Sequence, residues 1–104
     1  MKTSELTGPA LDLAVALAMG RKRNDFGWWW DNWQPSTNWA QGGPIIDREI
    51  AEIERFSDAL WEATAYTKNA QDIVQSGPTP LIAAMRCYVA SKLGDEVEVP
   101  EELK

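Results

Sequence analysis

The residues best suited to chemistry in this chain are aromatic rings, glycines and two arginines. Trp28, Trp29, Trp30, Trp33 and Trp39 crowd into a dozen positions, out of six tryptophans in 104 residues. Three consecutive tryptophans cannot all face one way on any regular element, so at least one should reach a surface, a cleft or a partner. Flat apolar rings suit nucleobases, at about 1–3 kcal/mol per stacked base, and equally suit protein hot spots. The cluster leads into Trp39-Ala40-Gln41-Gly42-Gly43-Pro44-Ile45-Ile46-Asp47-Arg48. Glycines let a backbone approach another group closely, Pro44 could open a helix, and free amides at a helix start hold anions. Arg48 is a candidate fork for phosphate or carboxylate. A second helix start follows at Ser76-Gly77-Pro78-Thr79-Pro80. These parts would serve a nucleotide-like ligand, with Trp30 and Trp39 on a base. The Gly42, Gly43 and Thr79 amides would take phosphate oxygens, Gln41 and Pro44 would belong to the same ligand site, and Arg48 and Arg86 would supply charge. The plainer alternatives are a Trp-rich core, a tight turn, a capped helix and arginines paired with nearby acids.

Other chemistries are excluded or lack support. The chain has no histidine and one cysteine, so there is no Ser/His/Asp triad, no Cys/His pair, no zinc cage and no intramolecular disulfide. No metal site and no cofactor are expected. Asp25, Asp31, Asp47 and Glu49 offer no catalytic pairing, and Cys87 has no neighbouring base to activate it. No catalytic residue is assigned. An enzyme acting on nucleotides through Asp47 or Asp31 is the weaker reading beside plain binding. The net charge of -6 disfavours nucleic acid, whose affinity rests on neutralised phosphates; only Arg21, Lys22 and Arg23 speak for it. Residues 95–104 hold five carboxylates against Lys104, which is four of the six net negative charges. They read as a weakly ordered acidic tail after a nearly neutral domain of residues 1–94.

The elements that would position these residues are unevenly legible. A first helix is expected from Pro9 to Met19, capped by Thr7 or Gly8 and stopped by Gly20. Apolar nearly all round, with Asp12 its only charge, it should be buried on most sides. It is too short to span a bilayer. Lys2 and Ala16-Leu17-Ala18 resemble a secretory leader, but Glu5 and Asp12 argue against one, and the lone cysteine favours a reducing cytoplasm. Asn24 to Gly43 reads as a long irregular loop. Between Gly43 and Tyr66 two patterns compete. Ile46, Ile50, Ile53 and Leu60 recur at helical spacing. Ala51–Phe56 and Trp61–Tyr66 read as strands around Ser57-Asp58, with Trp61, Ala63 and Ala65 on one face and Glu62, Thr64 and Tyr66 on the other. Thr67 to Gly77 reads as loop. The last helix is capped by Thr79, begins at Pro80 and stops at Gly94, with Leu81, Ile82, Met85, Val89 and Leu93 as its core stripe. Arg86 lies roughly 90° from the centre of that stripe, where it could look into a cleft.

Three segments in order, Lys2-Thr3-Ser4-Glu5-Leu6-Thr7-Gly8, Trp39-Ala40-Gln41-Gly42-Gly43-Pro44-Ile45-Ile46 and Gly77-Pro78-Thr79-Pro80-Leu81-Ile82-Ala83-Ala84-Met85-Arg86, resemble the NinX-like family of small phage proteins. The Trp28–Trp30 region does not match. The resemblance implies strands over residues 51–66. It therefore implies an α+β domain in which N-terminal and C-terminal helices pack on a small antiparallel sheet beside a long Trp-rich loop. It also implies a phage origin and action in the cytoplasm of a bacterial host. The family's function is unknown. By analogy with phage proteins that counter host defence, the expected function is non-enzymatic sequestration of a nucleotide-derived signal, cyclic or ADP-ribose-like, by a homo-oligomer. The alternative is an interaction module that blocks a host defence protein through its Trp-rich surface.

Overall fold

The C-terminal helix sets the architecture. In the computed structural model, which describes residues 1–21, 32–67 and 71–103, helix α3 (Pro80–Leu93) carries eight consecutive buried residues, Ala83 to Ala90. A helix buried on every side needs neighbours on every side. The sheet covers one flank, α1 (Gly8–Ala18) and α2 (Trp39–Glu49) cover others, and the Thr3–Glu5 turn closes a further one. The result is an α+β domain with three helices and one three-stranded sheet among the described residues.

Each helix end follows from local chemistry. Thr79 accepts the Ile82 amide on its hydroxyl at 3.0 Å, Pro80 opens α3 and Gly94 closes it, as the sequence predicts. Leu93, the last residue of α3, departs from its expected place in the core: it is 40% exposed. In α1 Thr7 is the N-cap residue but makes no side-chain cap bond. Its C-terminus is a Schellman turn: Arg21 N donates to Ala16 O and Gly20 N to Leu17 O, with Gly20 at φ +91°. Only glycine takes that conformation cheaply.

The ambiguous middle resolves as helix first and strands second. Helix α2 begins at Trp39 behind Asn38, whose side chain accepts the Ala40 amide. The stretch expected as loop to Gly43 therefore ends at Asn38, and Gly42, Gly43 and Pro44 lie inside the helix rather than at its start. Pro44 cannot donate to the Ala40 carbonyl, which belongs to an exposed residue. Strands β1 (Glu52–Ser57) and β2 (Leu60–Tyr66) form a hairpin with a bulge between Arg55 and Ser57. The polar stretch expected as loop contains a third strand, β3 (Asp72–Gly77). It was hidden because its alternation of Ile73 and Gln75 with exposed Asp72, Val74 and Ser76 carries one strongly apolar inner residue only. The sheet is an antiparallel meander, β1-β2-β3. Trp61, Ala63 and Ala65 face α3 with Ile53 and Ile73, on the face the alternation assigns them.

The acidic segment after Gly94 does not hang free in the structure. Val97 and Val99 are core residues, and Leu103 packs against the core. Met1 and Val97 exchange backbone hydrogen bonds, and Thr3 N donates to Asp95 O at 2.8 Å. Two valines alternating with carboxylates give this segment a buried side that the charge count alone obscures. Trp28, Trp29, Trp30, Lys22, Arg23, Asp25 and Asp31 lie outside the described residues.

Packing separates the two central glycines. A Cβ on Gly42 would stand 2.5 Å from Pro35 O and 2.6 Å from Leu81 Cδ1, whereas one on Gly43 would meet nothing within 4 Å. Gly42→Ala should therefore destabilise the fold by about 1–3 kcal/mol through overpacking. Gly43→Ala should stabilise it by about 0.5–1 kcal/mol through helix propensity. Thermal melts of the two variants against the parent check both signs.

Candidate functional site

Two contacts fix how α2 lies on α3. Gly42 abuts Leu81 near the start of both helices, and Glu49 pairs with Lys92 at 3.4 Å near their ends. The helices therefore run the same way and bring both N-termini to one end of the molecule. Between those N-termini lies a groove of about 220 Å³ lined by Ser36, Thr37, Trp39, Thr79, Pro80, Leu81 and Ile82. Trp39 stands at its edge, 55% exposed.

Aligned macrodipoles place partial positive charge at both helix starts. The caps already use most of the amides there. Asn38 takes Ala40, Gln41 and Gly42, and Thr79 takes Ile82 and Ala83. Pro80 has no N–H. That leaves one amide at each start, Trp39 and Leu81, without an acceptor among the described residues. The groove thus offers an aromatic face, the hydroxyls of Thr37 and Thr79 and two helix ends, with no lysine or arginine in its lining.

The turn before α2 is held from α1. The buried carboxylate of Asp12 accepts Ser36 N at 2.9 Å, and its backbone carbonyl accepts Trp33 Nε1 at 2.9 Å. Burial raises the Asp12 pKa above 3.8, and the hydrogen bond from the Ser36 amide pulls it partly back. The Ser36 Oγ is itself buried without a formed hydrogen bond. Sequence inspection assigned no role to this contact, since a single acid in an apolar helix gives no hint of a partner 24 residues away. Trp33, one of the clustered tryptophans, is half-buried against the core and anchored by its indole.

The other residues expected at a ligand are spread out. Gln41 folds back on the turn: its Oε1 accepts Gln34 N and its Nε2 donates to Asn32 O, both at 2.6 Å. Gly42 is buried against Pro35 and Leu81, and its amide donates to Asn38 O. Pro44 is exposed and Gly43 half-buried within α2. Arg48 is exposed in the last turn of α2, about 13 Å along the helix from Trp39. There it faces the negative end of the dipole. Arg86 is buried and lies on the protein's own backbone, with Nε donating to Leu6 O at 2.8 Å and Nη1 to Ser76 O at 2.9 Å. Burial lowers its pKa. The structure therefore brings Trp39 and Thr79 into one groove and leaves Arg48 and Arg86 out of its lining. Trp30 lies outside the described residues. Cys87 is a packing residue whose Sγ donates to Ile73 O, and burial pushes its thiol up to about 11.

The comparison with known families settles the relationship. A family model described as Bacteriophage P22, NinX matches residues 2–92. The chain belongs to the NinX family. The match spans α1, the Trp39–Ile46 segment, the whole sheet and nearly all of α3. It stops short of the acidic segment that packs against Met1–Thr3. The chain matches no curated protein. No helix among the described residues is long and apolar enough to cross a membrane.

The Asp12 clasp carries a pH signature. The folded-state pKa lies above the unfolded value, so the native state binds the extra proton. Stability from this group is therefore full below about pH 3.8 and is lost as pH rises through the folded pKa. Asp12→Asn keeps an acceptor for Ser36 N and removes the ionisation. Its stability relative to the parent should rise between about pH 4 and pH 7, measured by denaturant unfolding across that range. A flat difference would show that Asp12 ionises in the fold at no cost.

Proposed function

We propose that this NinX protein is a non-enzymatic binder of a nucleotide-derived small molecule, held at the groove between the α2 and α3 starts. The carrying observation is the convergence of two parallel helix N-termini beneath an exposed tryptophan. Trp39 would stack on a base or other flat ring. The Thr37 and Thr79 hydroxyls, with the Trp39 and Leu81 amides, would take phosphate oxygens at the positive ends of the helices. Ligand sites are commonly about 300–1,000 Å³. A groove of about 220 Å³ therefore takes one base or one phosphate group, and the rest of the ligand extends beyond it. A homo-oligomer fits this reading, because a second copy would supply the remaining wall. In a phage protein, capture without turnover would withdraw a cyclic nucleotide or ADP-ribose-like signal from a host defence system in the cytoplasm.

The test is tryptophan fluorescence titrated with cyclic dinucleotides and ADP-ribose derivatives, with mass spectrometry of the recovered compounds. The expected result is quenching at micromolar concentration with the compound returned intact. Trp39→Ala should weaken binding by about 1–3 kcal/mol, the size of one stacking contact, with an unchanged melting temperature. No quenching by any compound overturns the proposal, and a cleaved product replaces capture with catalysis.

A further inference from the structure

The sheet has a second face, which α3 does not cover. Alternation puts Glu52 and Glu54 of β1, Glu62 and Tyr66 of β2, and Asp72 and Val74 of β3 on it. The register sets Glu54 directly opposite Glu62 and Tyr66 opposite Asp72. Tyr66 Oη donates to Glu52 Oε1 at 2.9 Å across the β1–β2 diagonal, which ties these side chains to one surface. The same bond, and the charges of Glu52 and Asp72, hold the Tyr66 phenol above 10.

Two features set this face apart from an ordinary solvated one. Like charges directly opposite in an antiparallel pair destabilise a sheet, and no ion pair among the described residues relieves Glu54 or Glu62; Arg55 pairs instead with Asp58 at the hairpin tip, and Lys92 with Glu49 between helices. Beside the acids stand exposed apolar groups, Tyr66 at 59% and Val74 at 46%. An uncovered sheet face that combines unrelieved negative charge with apolar side chains is complementary to a positive, partly apolar surface.

We propose that the outer face of the sheet docks a cationic segment of a partner protein. Its lysines or arginines would lie over Glu54, Glu62 and Asp72, and an apolar side chain would lie on Tyr66 and Val74. Tyr66 can also receive a cation over its ring. Charge excludes the other occupants: a second copy would press these carboxylates against themselves, and a nucleic acid would be repelled. This surface involves none of the groove residues, so the assignment stands or falls separately from the ligand reading.

The test uses a labelled twelve-residue peptide of alternating lysine and valine, followed by fluorescence anisotropy at low salt and by amide chemical shifts. Three proteins are compared: the parent, a face variant (Glu54→Gln, Glu62→Gln, Asp72→Asn) and a tail variant (Glu96→Gln, Glu98→Gln, Glu101→Gln). The two variants lose the same charge. The parent and the tail variant should bind within twofold of each other, the face variant at least tenfold more weakly, with shifts on β1, β2 and β3. Glu54→Gln alone should raise the melting temperature by relieving the opposed pair. The assignment is overturned if the parent does not bind the peptide or if both variants weaken equally. It is also overturned if the shifts fall at Trp39 and Thr79, if the parent dimerises through the sheet, or if Glu54→Gln melts lower.

Discussion

Everything in this domain is arranged to bury α3. Its middle eight residues are buried and all but one are uncharged, so the helix gains most when it is wrapped completely. The exception, Arg86, shows what wrapping requires. A guanidinium inside a core must keep its hydrogen bonds, and it takes them from the carbonyls of Leu6 and Ser76. One comes from the segment before α1, the other from the end of β3. A single side chain thus ties the N-terminal segment and the sheet to the helix between them, using backbone acceptors that any sequence would supply.

The groove is a consequence of the same wrapping. Helix α2 can lie close on α3 because Gly42 leaves room for Leu81 and for the Pro35 carbonyl. That contact, with Glu49–Lys92 at the far end, makes the two helices parallel. Parallel dipoles repel side by side and are eased by negative charge at their joined N-termini. Asn38 and Thr79 supply part of that with neutral oxygen atoms. The Asp12 clasp on Trp33 and Ser36 then fixes the turn that delivers Trp39 to the rim. A buried acid, a packing glycine and two caps therefore converge on one place, and three of them act on backbone rather than on any bound group.

The legible parts of the sequence were those governed by local rules. Thr79-Pro80 with Gly94, and the Gly20 turn, follow from capping and backbone freedom and were readable to within a residue. The faces of β2 followed from alternation, with Trp61, Ala63 and Ala65 inward. What escaped depended on distance. Gly42-Gly43-Pro44 looks like a helix start because proline so often opens one, yet Asn38 caps the helix earlier, and the carbonyl that Pro44 leaves without its helical donor belongs to an exposed residue, Ala40. Strand β3 has too little apolar contrast to be read alone and exists because β2 pairs with it. The edge position of Arg86 on its helix was visible, but the acceptors waiting there came from residues 80 and 10 positions away. Of the expected ligand residues, Trp39 and Thr79 share the groove because each begins a helix, and helix starts are what a sequence marks well.

Charge tells the two surfaces apart more sharply than the total does. The net -6 suggests a molecule hostile to anions everywhere, yet the groove lining contains neither a carboxylate nor a cation. The carboxylates concentrate elsewhere, on the outer face of the sheet and in the segment after Gly94. In that segment Val97 and Val99 turn inward while Glu96 and Glu98 stay exposed, so the acids are held near the domain. Fields from exposed charges fall off over about 8 Å at physiological salt, so each surface is governed by its own nearest groups. A neutral groove at two helix starts can therefore favour an anion while an acidic sheet face favours a cation, within one small protein and without either defeating the other.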